Sequence, residues 1–331
     1  MSRLGICFVG NYSSQDLIRY AKAAEENNYE SVWIAEDLGM RDAIGPFGSI
    51  ALSTRHIKLA TGILAIYYRS PGLMAMTIAT LDELSGGRMI LGLGNGIREW
   101  VEQQGLEYRK PLVAMKEYVE VVRRLLEGSE VTFDGRIYKL SSTKLHFKPP
   151  RRRIPVYIAA RGPRMLQLAG EIGDGVLNSE EFCTPKYFEW ARENMKEGSE
   201  KSGRDPHEVD LASYVLVSVS EDHDKAKETI KPRAISMLAN GALHPALPFH
   251  LDRMGLSAGD VSPAIKSWKK GDIRRACEAI PDSVLDLVSI YGTPRECANR
   301  MREFRSAGVD LPIVSPVGSD ILGTIRLAKD L

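Results

Sequence analysis

The sequence predicts an α/β chain of the (β/α)8-barrel class with insertions. Two observations carry this. Eight short apolar runs alternate with amphipathic segments almost from end to end, and most of the runs lack period-two polarity. Continuous apolar runs of this length are what parallel strands buried on both faces require. Right-handed crossovers between eight such units close more readily into a barrel than into an open sheet.

The expected strands are Leu4–Val9, Ser31–Ala35, Ile57–Ile63, Met89–Gly94, Pro155–Ala160, Gly175–Asn178, Leu211–Val219 and Leu311–Ser315. Helical period appears between them. Tyr118, Val122 and Leu125 share a face, as do Met165, Leu168 and Ile172, and also Cys297, Met301 and Phe304. Thr184-Pro185 and Thr293-Pro294 place a hydroxyl at an N-cap and proline at the first helical position. Thr293 with Glu296 also fits a capping box. Gly128 and Gly308 follow helices as C-caps do. A barrel of this kind needs about 250 residues, so the 331-residue chain has segments left over. Residues 130–140 read as a hairpin turning at Asp134-Gly135. Residues from about 240 to 291 read as an insertion between the seventh and eighth strands. The whole chain, 1–331, is expected to be one domain.

Bulk properties exclude several functions. Net charge is +1, which gives a nucleic-acid or acidic-membrane partner no support. The basic run Arg151-Arg152-Arg153 reads as a solvated loop. Four dispersed cysteines, Cys7, Cys183, Cys277 and Cys297, make neither a disulfide framework nor a zinc spacing. No apolar run is long enough to span a membrane and no secretory signal is visible, so a cytoplasmic protein is expected.

In such a barrel, chemistry sits at the carboxyl ends of the strands. Those positions here are Cys7 to Gly10, Glu36-Asp37, Thr61-Gly62-Ile63, Gly94-Asn95-Gly96, Ala159 to Pro163, Asn178 to Glu181 and Ser315-Pro316. They are rich in small residues and poor in charge. They offer no metal-ligand cluster and no Ser-His-Asp set. A mouth of this kind suits a planar cofactor that brings its own reactivity. The Gly92-x-Gly94-x-Gly96 cluster lacks dinucleotide spacing and equally fits tight turns. Ala160-Arg161-Gly162-Pro163 joins a strand to a helix start, where free N–H groups and nearby arginines suit a phosphate, although an ordinary β–α turn would read the same. Tyr67, Tyr68 and Arg69 form a polar aromatic loop fit to line a substrate pocket. His244 and His250 read as structural or solvent-facing.

With these residues in place, nearly the whole chain resembles the bacterial-luciferase-like superfamily, in particular its deazaflavin-dependent branch typified by methylene-tetrahydromethanopterin reductase. The resemblance is carried by ATLDELSGGRMILGLGNG (79–96), IPVYIAARGPRMLQLAGEIGDGVL (154–177) and IVSPVGSD (313–320). It implies coenzyme F-420 as cofactor and a homodimer or higher homo-oligomer acting on a small molecule. It implies a non-prolyl cis peptide at Gly62-Ile63. It also places Asp37, Thr61, Gly62, Ile63, Gly94, Asn95, Gly96, Ala160, Arg161, Gly162 and Pro163 around the cofactor. Two departures stand out. The reductases carry a glutamate where this chain has Cys7 and an aspartate where it has Ile97, and those carboxylates are the candidates for proton handling. Cys7, Asp37 and Glu99 are the remaining candidates for catalysis. The resemblance thus leaves three readings: an F-420-dependent oxidoreductase, a monooxygenase using flavin mononucleotide (FMN), and a flavin-binding protein without turnover.

Overall fold

A computed structural model describes residues 3–241 and 247–331; His244 lies outside them. The strands are β1 Gly5–Phe8, β2 Ser31–Ile34, β3 Lys58–Thr61, β4 Leu64–Ala65, β5 Met89–Gly94, β6 Val131–Asp134, β7 Lys139–Thr143, β8 Val156–Ala159, β9 Gly175–Asn178, β10 Asp210–Val219, β11 Ile290–Gly292 and β12 Leu311–Pro316. All eight expected strands are present, as β1, β2, β3, β5, β8, β9, β10 and β12. Parallel strands alternating with helices in this order are those of a (β/α)8 barrel.

The chain groups into two compact units. The first holds Cys7–Leu177 and Asn194–Val209. Within it β2, β3, β5, β8 and β9 lie side by side and parallel, with Val32 opposite Leu59, Leu59 opposite Met89, Leu91 opposite Val156 and Ile158 opposite Val176. The second holds the chain up to Ile6, Asn178–Glu193 and Asp210–Leu331. There β12 lies between β1 and β10, pairing Ile313 with both Gly5 and Tyr214. The short strand β11, which the sequence pattern did not indicate, adds to β10 through Val217 and Ile290. Helices Leu247–Met254, Ala258–Lys269, Ile273–Ala279 and Asp282–Val288 precede it. Among them His250 is buried against Tyr187 and Phe249.

The predicted caps form. Thr184 Oγ1 accepts from the Tyr187 N–H, and Thr293 with Glu296 closes a reciprocal capping box. The expected hairpin is β6–β7. Its connection is longer than a two-residue turn, and Glu117 explains how it is held. That carboxylate accepts from the N–H groups of Arg136, Ile137 and Tyr138 at 2.7, 2.9 and 3.1 Å.

The DELSGGR stretch supplies two anchors. Asp82 is fully buried and is gripped by Arg151 at 2.9 and 2.5 Å, while also accepting from the Met89 N–H at 3.1 Å. Arg88 donates to the carbonyls of Ala51, Thr54, Ile57 and Ser85 and to the Thr54 hydroxyl. These bonds tie helices Ile44–Ser53 and Pro71–Leu84 to the starts of β3 and β5. Of the Arg151-Arg152-Arg153 run, Arg152 and Arg153 are exposed as a solvated loop requires, whereas Arg151 is partly withdrawn from water. Arg151 clamps Asp82, and Arg153 joins Arg123 on Asp174 at 2.5 and 2.8 Å. The partners lie 69 and 21 residues away along the chain, so no local pattern exposes them.

Two stability predictions follow from these clamps. Asp82→Ala leaves Arg151 with one-third of its side chain in water and no counter-charge. The loss expected is about 2–3 kcal/mol, below the full cost of opening a buried pair, read as a lower urea midpoint. Burial pushes the Asp174 carboxyl up, but Arg123, Arg153 and the Val156 N–H outweigh it and hold the group below its ordinary value. A depressed carboxylate stabilises the fold above its unfolded pKa, and that contribution disappears as pH falls through the folded value. Urea titrations from pH 6 down to about pH 3 should show a flatter decline for Asp174→Asn than for the wild type.

Candidate functional site

The first unit brings most of the predicted residues together. β3 ends at Thr61, and the Gly62-Ile63 peptide that follows is cis, as the resemblance implied. The Gly62 N–H donates to the Ile34 carbonyl at 2.8 Å, and the Glu36 N–H reaches the Ile63 carbonyl at 3.4 Å. The ends of β2 and β3 are thus stitched to each other. Thr61 is buried, and its hydroxyl is spent on the strand beside it: it donates to the Gly92 carbonyl at 2.9 Å and accepts from the Gly92 N–H at 2.8 Å.

The glycines of β5 are required by the segment 61–63 that lies against them. A Cβ on Gly94 would lie 2.7 Å from the Ile63 side chain and 3.3 Å from the Ala159 Cβ. A Cβ on Gly92 would meet the Thr61 carbonyl oxygen at 1.9 Å, inside any tolerable contact. Ile63 therefore lies across β5 towards the end of β8. Gly96 has φ +69°, a left-handed conformation that glycine adopts without cost. Its open side faces Ala65, Val101 and the Tyr68 hydroxyl. The result is a low, apolar ledge built by Ile63, Gly94 and Ala159.

Ala160-Arg161-Gly162-Pro163 continues from that ledge. Gly162 is the N-cap of helix Pro163–Ile172 and gives it no side-chain cap. Pro163 has no N–H and the Met165 N–H donates to the Gly162 carbonyl at 3.1 Å, so in this first turn the Arg164 N–H is left for another acceptor, with the positive end of the helix dipole behind it. Arg161 is half-buried at this turn and acts electrostatically on Tyr108.

The loop after β4 is the most constrained part of the mouth. Tyr138 donates to the Ile66 carbonyl at 3.1 Å and Tyr118 to the Arg69 carbonyl at 3.0 Å. The Arg69 guanidinium forks onto Glu36 at 2.7 and 2.6 Å. Tyr67 donates to the Arg109 carbonyl at 2.8 Å and packs 5.1 Å from Tyr108, which in turn carries the Arg98 guanidinium 4.4 Å above its ring. Burial raises the phenol pKa of Tyr67, Tyr108, Tyr118 and Tyr138, so all four stay protonated near neutrality. The Tyr67–Tyr68–Arg69 loop is therefore divided. Tyr67 and Arg69 hold the backbone, and Tyr68 is treated below.

The catalytic candidates separate. Cys7 is buried in β1. Asp37 is partly exposed just beyond β2 and acts electrostatically on Tyr68. Glu99 stands in the exposed first turn of helix Arg98–Gln103. Ile97 precedes that helix with 40% of its surface exposed, an apolar side chain at the position where the resemblance expects a carboxylate. Arg98 and Tyr108 escaped the sequence reading. Their only signal is a basic residue and an aromatic one ten positions apart, a pattern too common to single out.

A barrel whose charge-poor mouth carries an apolar ledge and an uncapped helix start defines a protein built to hold a flat, phosphate-bearing cofactor. The chain belongs to the luciferase-like monooxygenase family, whose model matches residues 8–311. It is 38% identical over 98% of its length to 97% of the 5,10-methylenetetrahydromethanopterin reductase of Archaeoglobus fulgidus. It is 36% identical over 98% of its length to 97% of the enzyme of the same name from Methanolobus tindarius. Among solved structures it superposes on the coenzyme F420-dependent tetrahydromethanopterin reductase of Methanopyrus kandleri with a TM-score of 0.90 at 30% identity, covering 99% of this chain and 97% of that one.

Gly94→Val should disturb the ledge directly, because two further methyl groups must displace Ile63. The expected outcome is a folded protein by circular dichroism whose affinity for a flavin-type ligand falls at least tenfold. Cys7→Ser should leave that affinity within about twofold, as expected of a thiol that packs.

Proposed function

We propose that this protein is a coenzyme F-420-dependent oxidoreductase that moves a hydride to or from a small organic molecule. The observation that carries the reading is the continuous surface from Ile63 across Gly94 and Ala159 to the uncapped helix start at Gly162. It offers a flat apolar support for a ring and, at the helix start beyond it, the Arg164 N–H and the positive end of a helix dipole for a phosphate. Its fit to a deazaflavin is one of shape and chemistry together: a side chain on Gly94 would fill the support, and no carboxylate of the ledge would repel the phosphate.

In this reading Gly62, Ile63, Gly94, Asn95 and Gly96 support the ring. Ala160, Arg161, Gly162 and Pro163 hold the phosphate, Arg161 adding a charge to the helix dipole. Asp37 and Thr61 shape the rim and the strand end behind the ring. The cofactor, when bound, supplies two-electron hydride chemistry. The protein contributes alignment and exclusion of water by the Tyr67–Tyr108–Arg98 stack. A reduced pterin is the first substrate class to try, since the relatives above are named for one. Cys7 and Ile97 supply no carboxylate for proton handling, so a substrate that needs an enzymic acid at those positions fits poorly. The reading carries with it a cytoplasmic homo-oligomer and an insertion over residues 240–291.

The test is a side-by-side absorbance titration with coenzyme F-420 and FMN. Tighter binding of the deazaflavin supports the reading. Tighter binding of FMN puts an oxygen-using monooxygenase in its place, and oxygen consumption with reduced flavin would then follow. Arg161→Ala should weaken F-420 about tenfold, the scale of one lost charge-assisted bond. It should leave the affinity for the dephosphorylated deazaflavin core nearly unchanged. Equal losses on both ligands would remove the phosphate role.

A further inference from the structure

Three tyrosines near the mouth, Tyr67, Tyr118 and Tyr138, donate their hydroxyls to the carbonyls described above. Tyr68 is the exception. Its hydroxyl oxygen is shielded from water and makes no hydrogen bond of good geometry, although the Gln104 side chain stands close to it. The carboxamide oxygen of Asn95, at the end of β5, is likewise shielded and unbonded. The turn that carries Asn95 approaches Tyr68. A Cβ built on Gly96, the neighbour of Asn95, would lie 3.9 Å from the Tyr68 hydroxyl. Asp37 and Glu36 both act on Tyr68 electrostatically.

An unsatisfied buried polar atom is costly, and proteins keep one where a ligand completes it. The loop carrying Tyr68 is fixed on both sides, by Tyr138 on Ile66 and by Tyr118 and Glu36 on Arg69. Its unmet bond is thus held in place rather than left to a mobile side chain. The chemistry of the two atoms is complementary. A phenol kept neutral by burial is a donor, and an amide oxygen is only an acceptor. One donor and one acceptor match a group that presents an acceptor and a donor side by side, as a carbonyl next to a ring N–H does.

We propose that Tyr68 Oη and Asn95 Oδ1 are the two contacts through which this site binds the cyclic-amide edge, C(=O)–N–H, of a ligand ring. Tyr68 donates to the carbonyl oxygen, and Asn95 accepts from the N–H. The inference rests on the functional reading above and deepens it. Both a deazaflavin and a reduced pterin carry such an edge, so the test has an arm for each.

Wild type, Tyr68→Phe and Asn95→Leu are titrated with coenzyme F-420, and the F-420-loaded proteins are then titrated with 5,6,7,8-tetrahydropterin. Both variants keep the shape of the side chain, and circular dichroism checks the fold. Each variant is expected to lose about tenfold in affinity, the scale of one hydrogen bond to a buried partner. A loss on F-420 assigns the pair to the cofactor; a loss confined to the pterin assigns it to the substrate. Variants within twofold of a wild type that binds normally overturn this inference and leave the oxidoreductase reading standing. A wild type that binds neither ligand overturns that reading and the inference with it.

Discussion

The grip of Arg151 on the fully buried Asp82 is the constraint on which the first unit depends. A charge without water must be matched closely or it unfolds its surroundings. Asp82 is matched twice, by a forked guanidinium and by the Met89 N–H. That second bond fixes the first residue of β5. Five residues later β5 ends at Gly94, where Ile63 crosses it. The register of the ledge is therefore set from the opposite end of the same strand. Arg88, one residue before β5, fixes its neighbours through four carbonyls and a hydroxyl. The charges of this stretch hold the strand whose far end forms the mouth.

The same division runs through the mouth itself. Polar groups there are mostly spent within the protein: the Thr61 hydroxyl on the Gly92 backbone, the Tyr67 hydroxyl on the Arg109 carbonyl, the Glu36 carboxylate on the Arg69 guanidinium. Each bond removes a group from direct chemistry and adds rigidity to a loop. What remains exposed to a ligand is chiefly shape, namely the apolar ledge, the left-handed turn at Gly96 and an uncapped helix start. A site of this kind selects a cofactor by flatness and by where its phosphate falls, and leaves reactivity to the cofactor.

The fold was largely legible because its signals are local. Continuous apolar runs marked the eight strands, and Thr-Pro pairs and glycines marked helix ends. The glycines of β5 were legible as a cluster, but their reason was not: only the position of Ile63, 31 residues upstream of Gly94, shows what a side chain there would strike. Arg151 was read as solvated for the same reason, since its partner Asp82 lies 69 residues away. The short strand β11 was missed because three residues carry no period. The cis bond at Gly62-Ile63 came from resemblance; nothing in the spacing of those residues indicates it.

The two lost carboxylates gain meaning from this geometry. At the position of Ile97 the chain presents an apolar side chain with 40% of its surface exposed, and Cys7 is buried within its strand. A carboxylate at either place would add a formal charge to a mouth where Glu36 is paired with Arg69 and Glu99 lies outward. Removing both makes the mouth less able to move a proton and more able to hold an apolar surface dry. A hydride acceptor that needs no enzymic acid, or a hydride donor whose proton leaves to water, suits such a mouth better than one that must be protonated in place.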